Sequence, residues 1–174
     1  MYCERFRYGR APRTIWLLAF VWLWLLPAVA RPAVPDVTLP DLNGKPHRVS
    51  EYIGKGRWTV VTVWSADCPI CRREMYHMTF LHDEHKDRDL RVLGLSIDGS
   101  ANRDKARDFA EEQTLNFPSL LGTPGDATRL SGHRLAGTPT YYFFAPDGSF
   151  LTQRVGALTQ AQAEQLLAAL KQAH

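Results

Sequence analysis

Two cysteines separated by two residues carry the clearest chemical potential in this sequence: Cys68 and Cys71, within Trp64-Ser65-Ala66-Asp67-Cys68-Pro69-Ile70-Cys71. A disulfide stabilises a fold mainly by closing a long loop, and a bridge across two residues closes almost none. Such a pair is explained by chemistry: a thiolate attacks a disulfide, and a second sulfur resolves the mixed disulfide. Cys68 stands between the apolar run Trp58 to Trp64 and a stretch of helical composition, Cys68 to His85. At a helix start, free N–H groups and the positive end of the dipole favour an anion. Cysteines so placed titrate below the free value of about 8.5. Pro69 suits the first helical position, where its missing N–H costs nothing. Cys71 follows one turn later on the same face, as the more buried, resolving thiol.

Metal ligation is the other chemistry cysteines suggest. Cys68, Cys71, His82 and His85 read C-x2-C-x10-H-x2-H, with both gaps shorter than zinc-finger spacing. His77, His82 and His85 sit beside Asp83, Glu84, Lys86 and Asp87, the look of a solvated helix end. His47 and His133 are isolated loop candidates without a role. Neither a metal nor a cofactor is expected.

The elements that must position the cysteines follow from pattern. Val37 to Leu39 and Arg48-Val49 flank Asn43-Gly44, a hairpin dipeptide. Trp58 to Trp64 lacks clean alternation and reads as a strand buried on both faces, and Arg91 to Ile97 as a second. Ser100 is a candidate N-cap for a helix to about Gln113, and Gly125 to Leu130 a short helix. Tyr141 to Ala145 and Phe150 to Val155 are strands joined at Pro146-Asp147-Gly148. Thr159-x-x-Gln162 is a capping box opening an amphipathic helix through Leu166, Leu167 and Leu170. The order implies an α/β fold, a central mixed sheet with helices on both faces plus an N-terminal hairpin.

Residues 1–30 read as an export leader. Arg5, Arg7, Arg10 and Arg13 form a basic head, Ile15 to Leu26 an apolar run, and Ala28-Val29-Ala30 a small-x-small cleavage pattern. Thr14 to Ala30 would span roughly 25 Å as a helix, against a hydrocarbon core about 30 Å thick. Both a cleaved signal and a retained anchor at residues 14–30 stay open, and both deliver the chain outside the cytoplasm. Cys3 belongs to this leader. Residues 31–40 form a Pro-rich lead-in and 41–174 the folded domain. The whole chain has 21 Lys+Arg and 18 Asp+Glu; beyond residue 30 the count is 17 of each. The basic excess therefore reports the leader, and no nucleic-acid partner is expected.

Trp64-x-x-x-Cys68-x-x-Cys71 after a hydrophobic strand, with Gly137-Thr138-Pro139-Thr140 before a later strand, resembles the thioredoxin superfamily. The hairpin, the leader and the long insert between the halves make the chain similar to its TlpA/ResA branch, exported reductases serving cytochrome c maturation, copper-site assembly and similar tasks. The resemblance implies a thioredoxin-like fold and a thiol–disulfide oxidoreductase, with Cys68 as nucleophile and Cys71 as resolving thiol. It makes Pro139 a cis-proline packed against the cysteines, with Thr138 offering its backbone to an extended substrate and Trp64 at the substrate-binding face. It assigns Glu74 an active-site role. Partners would be an exported thiol or disulfide protein and a membrane or thioredoxin-type electron donor, with the protein itself a monomer, periplasmic or anchored to the inner membrane.

Two departures bear on redox direction. Asp67 stands where many members have Trp, and its carboxylate should oppose thiolate formation on Cys68. Thr62 replaces a buried Asp six residues before the first cysteine, leaving Glu74 or water to serve as base. Asp67, with the neutral Ile70 where known oxidants carry His, weakens thiolate stabilisation and favours a reductase. Two competitors share the fold. A peroxiredoxin would need Pro-x-x-x-Thr/Ser-x-x-Cys, where Ser65 fits but Val61 occupies the Pro position. A copper metallochaperone would use Cys-x-x-x-Cys and a distant His.

Overall fold

A computed structural model describes residues 34–174; the leader, Cys3 and the start of the lead-in lie outside the described residues. The N-terminal hairpin pairs β1 (Thr38–Pro40) with β2 (Pro46–Arg48) as a separate two-stranded sheet. The turn runs over Asp41–Gly44, closed by the Gly44 N–H donating to the Asp41 carbonyl at 2.9 Å, and Gly44 alone takes a positive φ, +88°, where a two-residue Asn-Gly turn would need it at both positions. Five strands form the central sheet: β3 (Trp58–Trp64), β4 (Leu90–Ser96), β5 (Ser119–Leu121), β6 (Thr140–Phe144) and β7 (Phe150–Val155). Their order is β5-β4-β3-β6-β7. β3, β4 and β5 are mutually parallel, while β6 runs antiparallel to both β3 and β7. This is the mixed sheet expected from the element order, and it agrees with the thioredoxin-like fold that the resemblance implies.

β3 lies at the centre, and all seven of its residues are buried. Its lack of alternation follows, because both faces meet core. On one face Val60 and Trp64 join Cys71, Met75, Met78 and Leu81 of α1 (Pro69–His85), Phe109 of α2 (Arg103–Glu112) and Leu167 of α4 (Gln160–Ala173). On the other, Val61 and Val63 meet Leu130 of α3 (Pro124–Ser131) and Val37, Leu39 and Val49 around the hairpin.

Beyond shifts of one or two residues at the ends of strands, three features differ from the sequence reading. Ser100 opens a 3-10 turn (Ser100–Asn102), and Asn102 precedes α2. α3 starts at Pro124, because Thr123 and Asp126 form a reciprocal capping box. β5 is an unanticipated strand; Pro118 ahead of it and its three-residue length hid it from periodicity. Its edge bridges to the hairpin at Asp41 and Leu120. Among the described residues, no helix is long and apolar enough to cross a membrane.

Candidate active site

Ser65, Ala66, Asp67 and Cys68 carry the chain from β3 into α1. The Cys68 N–H donates to the Ser65 carbonyl at 3.1 Å, closing the turn. Cys68 is the N-cap of α1, extended at φ −87°, ψ 108°, and its Sγ accepts the Cys71 N–H at 3.0 Å. That place normally holds Ser, Thr, Asp or Asn, whose side chain accepts a first-turn N–H. A sulfur here faces the positive end of a 17-residue helix. Cys68 is 8% exposed and Cys71 fully buried, and the two are joined as a disulfide with their Cα atoms 5.2 Å apart.

The loop ahead of β6 closes over the pair. The Thr138–Pro139 bond is cis, Pro139 is buried, and the Thr138 carbonyl oxygen lies 3.3 Å from Cys68 Sγ. The Pro139 carbonyl accepts the Gly156 N–H at 2.9 Å, and the Thr140 hydroxyl donates to the Gly137 carbonyl at 2.7 Å. The loop is thereby tied on both sides of the proline.

Trp64, which the resemblance puts at the substrate-binding face, is a buried residue of β3. It is fully buried and stacks on Phe109 with ring centroids 4.8 Å apart. As a β3 residue packed between the sheet and α2, it lies in the core beneath the turn that carries Cys68.

Glu74 is half-buried, one turn past Cys71, with His77 Nε2 3.8 Å from its carboxylate. On β6, the Tyr141 phenol is pushed far above its ordinary range by burial, with the Glu74 charge adding to the effect. Tyr141 pairs in register with Thr62, and neither hydroxyl has a partner among the described residues.

Asp67 is exposed and ion-paired with Lys105 of α2. Arg72 of α1 pairs with Glu112 of the same helix α2 and lies over the Phe109 ring, 5.2 Å from its centroid. These contacts join residues 38 and 40 positions apart, so no local pattern could have revealed them. Asp98, just past β4, accepts from Ser65 and Ala66. Its signal was faint but present: a polar residue at the carboxyl end of a buried parallel strand, where α/β sheets place their sites.

The histidines separate from the cysteines. His82 is buried rather than solvated: its Nδ1 accepts the Val92 N–H at 3.3 Å, and burial lowers its pKa. Glu84, His85 and Glu164 bring potential ligand atoms within 4.8 Å of one another. The Gln160 amide already bridges Glu84 and Glu164, donating to each at 2.8 Å. Of the residues weighed from the sequence as metal ligands, His85 alone belongs to that group.

Fold and cysteine pair together place the protein among the thioredoxin-fold thiol–disulfide oxidoreductases. By sequence the chain belongs to the AhpC/TSA family, whose profile matches residues 30–150. It is similar to the thiol-disulfide oxidoreductase ResA of Geobacillus kaustophilus, 28% identical over 137 residues that cover 79% of this chain and 75% of the relative. Among solved structures it resembles a thiol:disulfide interchange protein of Chlorobium tepidum, with TM-score 0.67 and 21% identity over 82% of this chain and 98% of that one. StoA of Bacillus subtilis has TM-score 0.61 and 21% identity, over 78% and 99% respectively.

Proposed function

We propose that the protein reduces disulfides in exported proteins, with Cys68 attacking and Cys71 resolving. The observation that carries this is the division of the pair: Cys68 caps the helix beneath the Thr138 carbonyl, while Cys71 is buried one turn behind it. In the reduced enzyme the Cys68 thiolate attacks one sulfur of a substrate disulfide. That bond breaks, a mixed disulfide forms, and one substrate thiolate leaves. Cys71 then gives up its proton and attacks the Cys68 sulfur, expelling the second substrate thiolate and leaving the Cys68–Cys71 disulfide. Two electrons have passed to the substrate, and an external dithiol donor must restore them. Glu74 is the proposed proton acceptor for Cys71, and the Thr138 backbone the edge along which an extended substrate pairs.

The similarity to ResA supports a substrate class of exported proteins whose cysteines must be free for haem or metal attachment. Residues 1–30 as a leader or anchor, with 41–174 as the domain, place the reaction outside the cytoplasm, and the protein acts as a monomer. Peroxide reduction gains no support from the site: Val61, at the peroxidatic Pro position, is a fully buried β3 residue.

A Cys71→Ser variant expressed with its leader in the native host tests the proposal. Mixed disulfides with exported cysteine proteins should accumulate at Cys68, and the isolated wild-type protein should equilibrate in the reducing half of the range from about −270 to −120 mV. A potential near the oxidant end, or capture by Cys68→Ser in place of Cys71→Ser, would overturn it.

A further inference from the structure

β3 and β4 are parallel neighbours, so their carboxyl ends emerge together, and the chain leaving β4 runs beside the turn that delivers Cys68. The Ile97 N–H donates to the Trp64 carbonyl at 2.9 Å, carrying the pairing one bond past the strands. The next residue is Asp98. Its Oδ1 accepts the Ser65 hydroxyl at 2.6 Å, and its Oδ2 accepts the Ala66 N–H at 2.9 Å and the Ser96 hydroxyl at 2.7 Å. Ser65 passes the constraint on: its Oγ accepts the Asp67 N–H at 3.3 Å and its carbonyl the Cys68 N–H at 3.1 Å. Every donor of the turn from the Ser65 hydroxyl to the Cys68 amide is thus engaged, two of them by one carboxylate.

Asp98 is itself held in place. Its N–H donates to Ser96 Oγ at 3.2 Å, and its carbonyl accepts the Asn102 side-chain amide at 2.8 Å. The Gly99 N–H donates to the Gly122 carbonyl at 3.0 Å, tying the segment to the end of β5. A carboxylate so fixed is a rigid template for the turn, and its bonds are charge-assisted.

We propose that Asp98 is the positioning residue for Cys68: by accepting the Ser65 hydroxyl and Ala66 amide together, it holds the turn in the one shape that leaves the Cys68 sulfur capping α1. The proposal rests on Cys68 being the attacking thiol. The placement has an electrostatic cost, since a nearby negative charge disfavours a thiolate. A neutral acceptor would avoid that cost, so the expected benefit is geometric, and the test must hold charge constant.

Asp98→Asn and Asp98→Ala are both uncharged. The Asn carbonyl can still accept the Ala66 N–H, and the serine hydroxyls can rotate to accept from its amide; Ala offers nothing. Each is made in the full chain carrying Cys71→Ser, and Cys68 alkylation by iodoacetamide is followed against pH. At pH 7 the Ala variant should alkylate at least roughly threefold more slowly than the Asn variant, with its midpoint at higher pH, because the sulfur leaves the cap. Equal rates and midpoints would overturn the positioning role. Should Asp98→Ala not fold, Ser65→Ala against Cys71→Ser alone asks the same question with the carboxylate kept; slower alkylation supports the proposal, and an unchanged profile overturns it. Failure of Cys68 to alkylate near neutral pH with Asp98 intact is a different result, and it overturns the attacking role itself.

Discussion

Asp67 precedes the cysteine proposed to attack, and read in the sequence its carboxylate opposes thiolate formation there. The fold sets Lys105 against it, so the charge beside Cys68 is that of a pair. Side chains of both are largely solvated, at 75% and 49% exposure, which keeps the effect modest and salt-sensitive. Removing one member should reveal the other. Lys105→Met leaves an unpaired carboxylate, so the Cys68 alkylation midpoint should rise and the disulfide become more reducing. Asp67→Asn should do the reverse, and the double variant should return near wild type. Potentials measured in thiol buffers at low salt and at about 1 M salt check this: the differences should shrink as the screening length falls to about 3 Å. Equal potentials in all four proteins would show that the pair has no influence on the dithiol.

Elements show which local signals survive folding. The Thr159–Gln162 capping box forms in both directions at the start of α4, because it needs only residues three apart. Thr159→Ala should lower stability by about 1 kcal/mol. Met75 is a contrast, fully buried between α1 and the sheet. Met75→Ala should cost about 2–5 kcal/mol through lost contacts and a cavity. Denaturant midpoints of the two variants measure both, and Met75 should be the costlier site. β3 and α1 were legible for the same reason: seven consecutive strand residues and a long helix with apolar positions at helical spacing. β5 was not, being too short for a period.

For the whole molecule, His82 couples folding to pH. Burial lowers its pKa in the folded protein, and Lys86 and Arg91 oppose its charging while Asp83 and Asp87 favour it. The unfolded chain, with an ordinary value of about 6.5, therefore takes up this proton first as pH falls. Stability is present in full above about 6.5 and is lost progressively below it, towards the lower folded pKa. Wild-type unfolding midpoints should drop between pH 7 and pH 5 by more than those of His82→Gln, which keeps an acceptor for the Val92 N–H. Parallel pH profiles would show that His82 contributes nothing to the acid dependence. The depressed carboxyl groups of Asp41, Asp83 and Asp89 act at lower pH, as they protonate.

By itself the sequence determined what depends on near neighbours and composition: the cysteine pair and its helix-start placement, and the strand and helix periods. Motif resemblance pointed to the proline loop, 70 residues beyond Cys68, because the type of residue there is restricted by its backbone. Only the tertiary structure decided what requires two distant segments to meet. It put Trp64 and His82 in the interior, paired Asp67 with Lys105 and set Asp98 behind the cysteine turn. Hydrogen bonds and ion pairs act over a few ångströms in space, and chain separation carries almost no record of which side chains will share that distance.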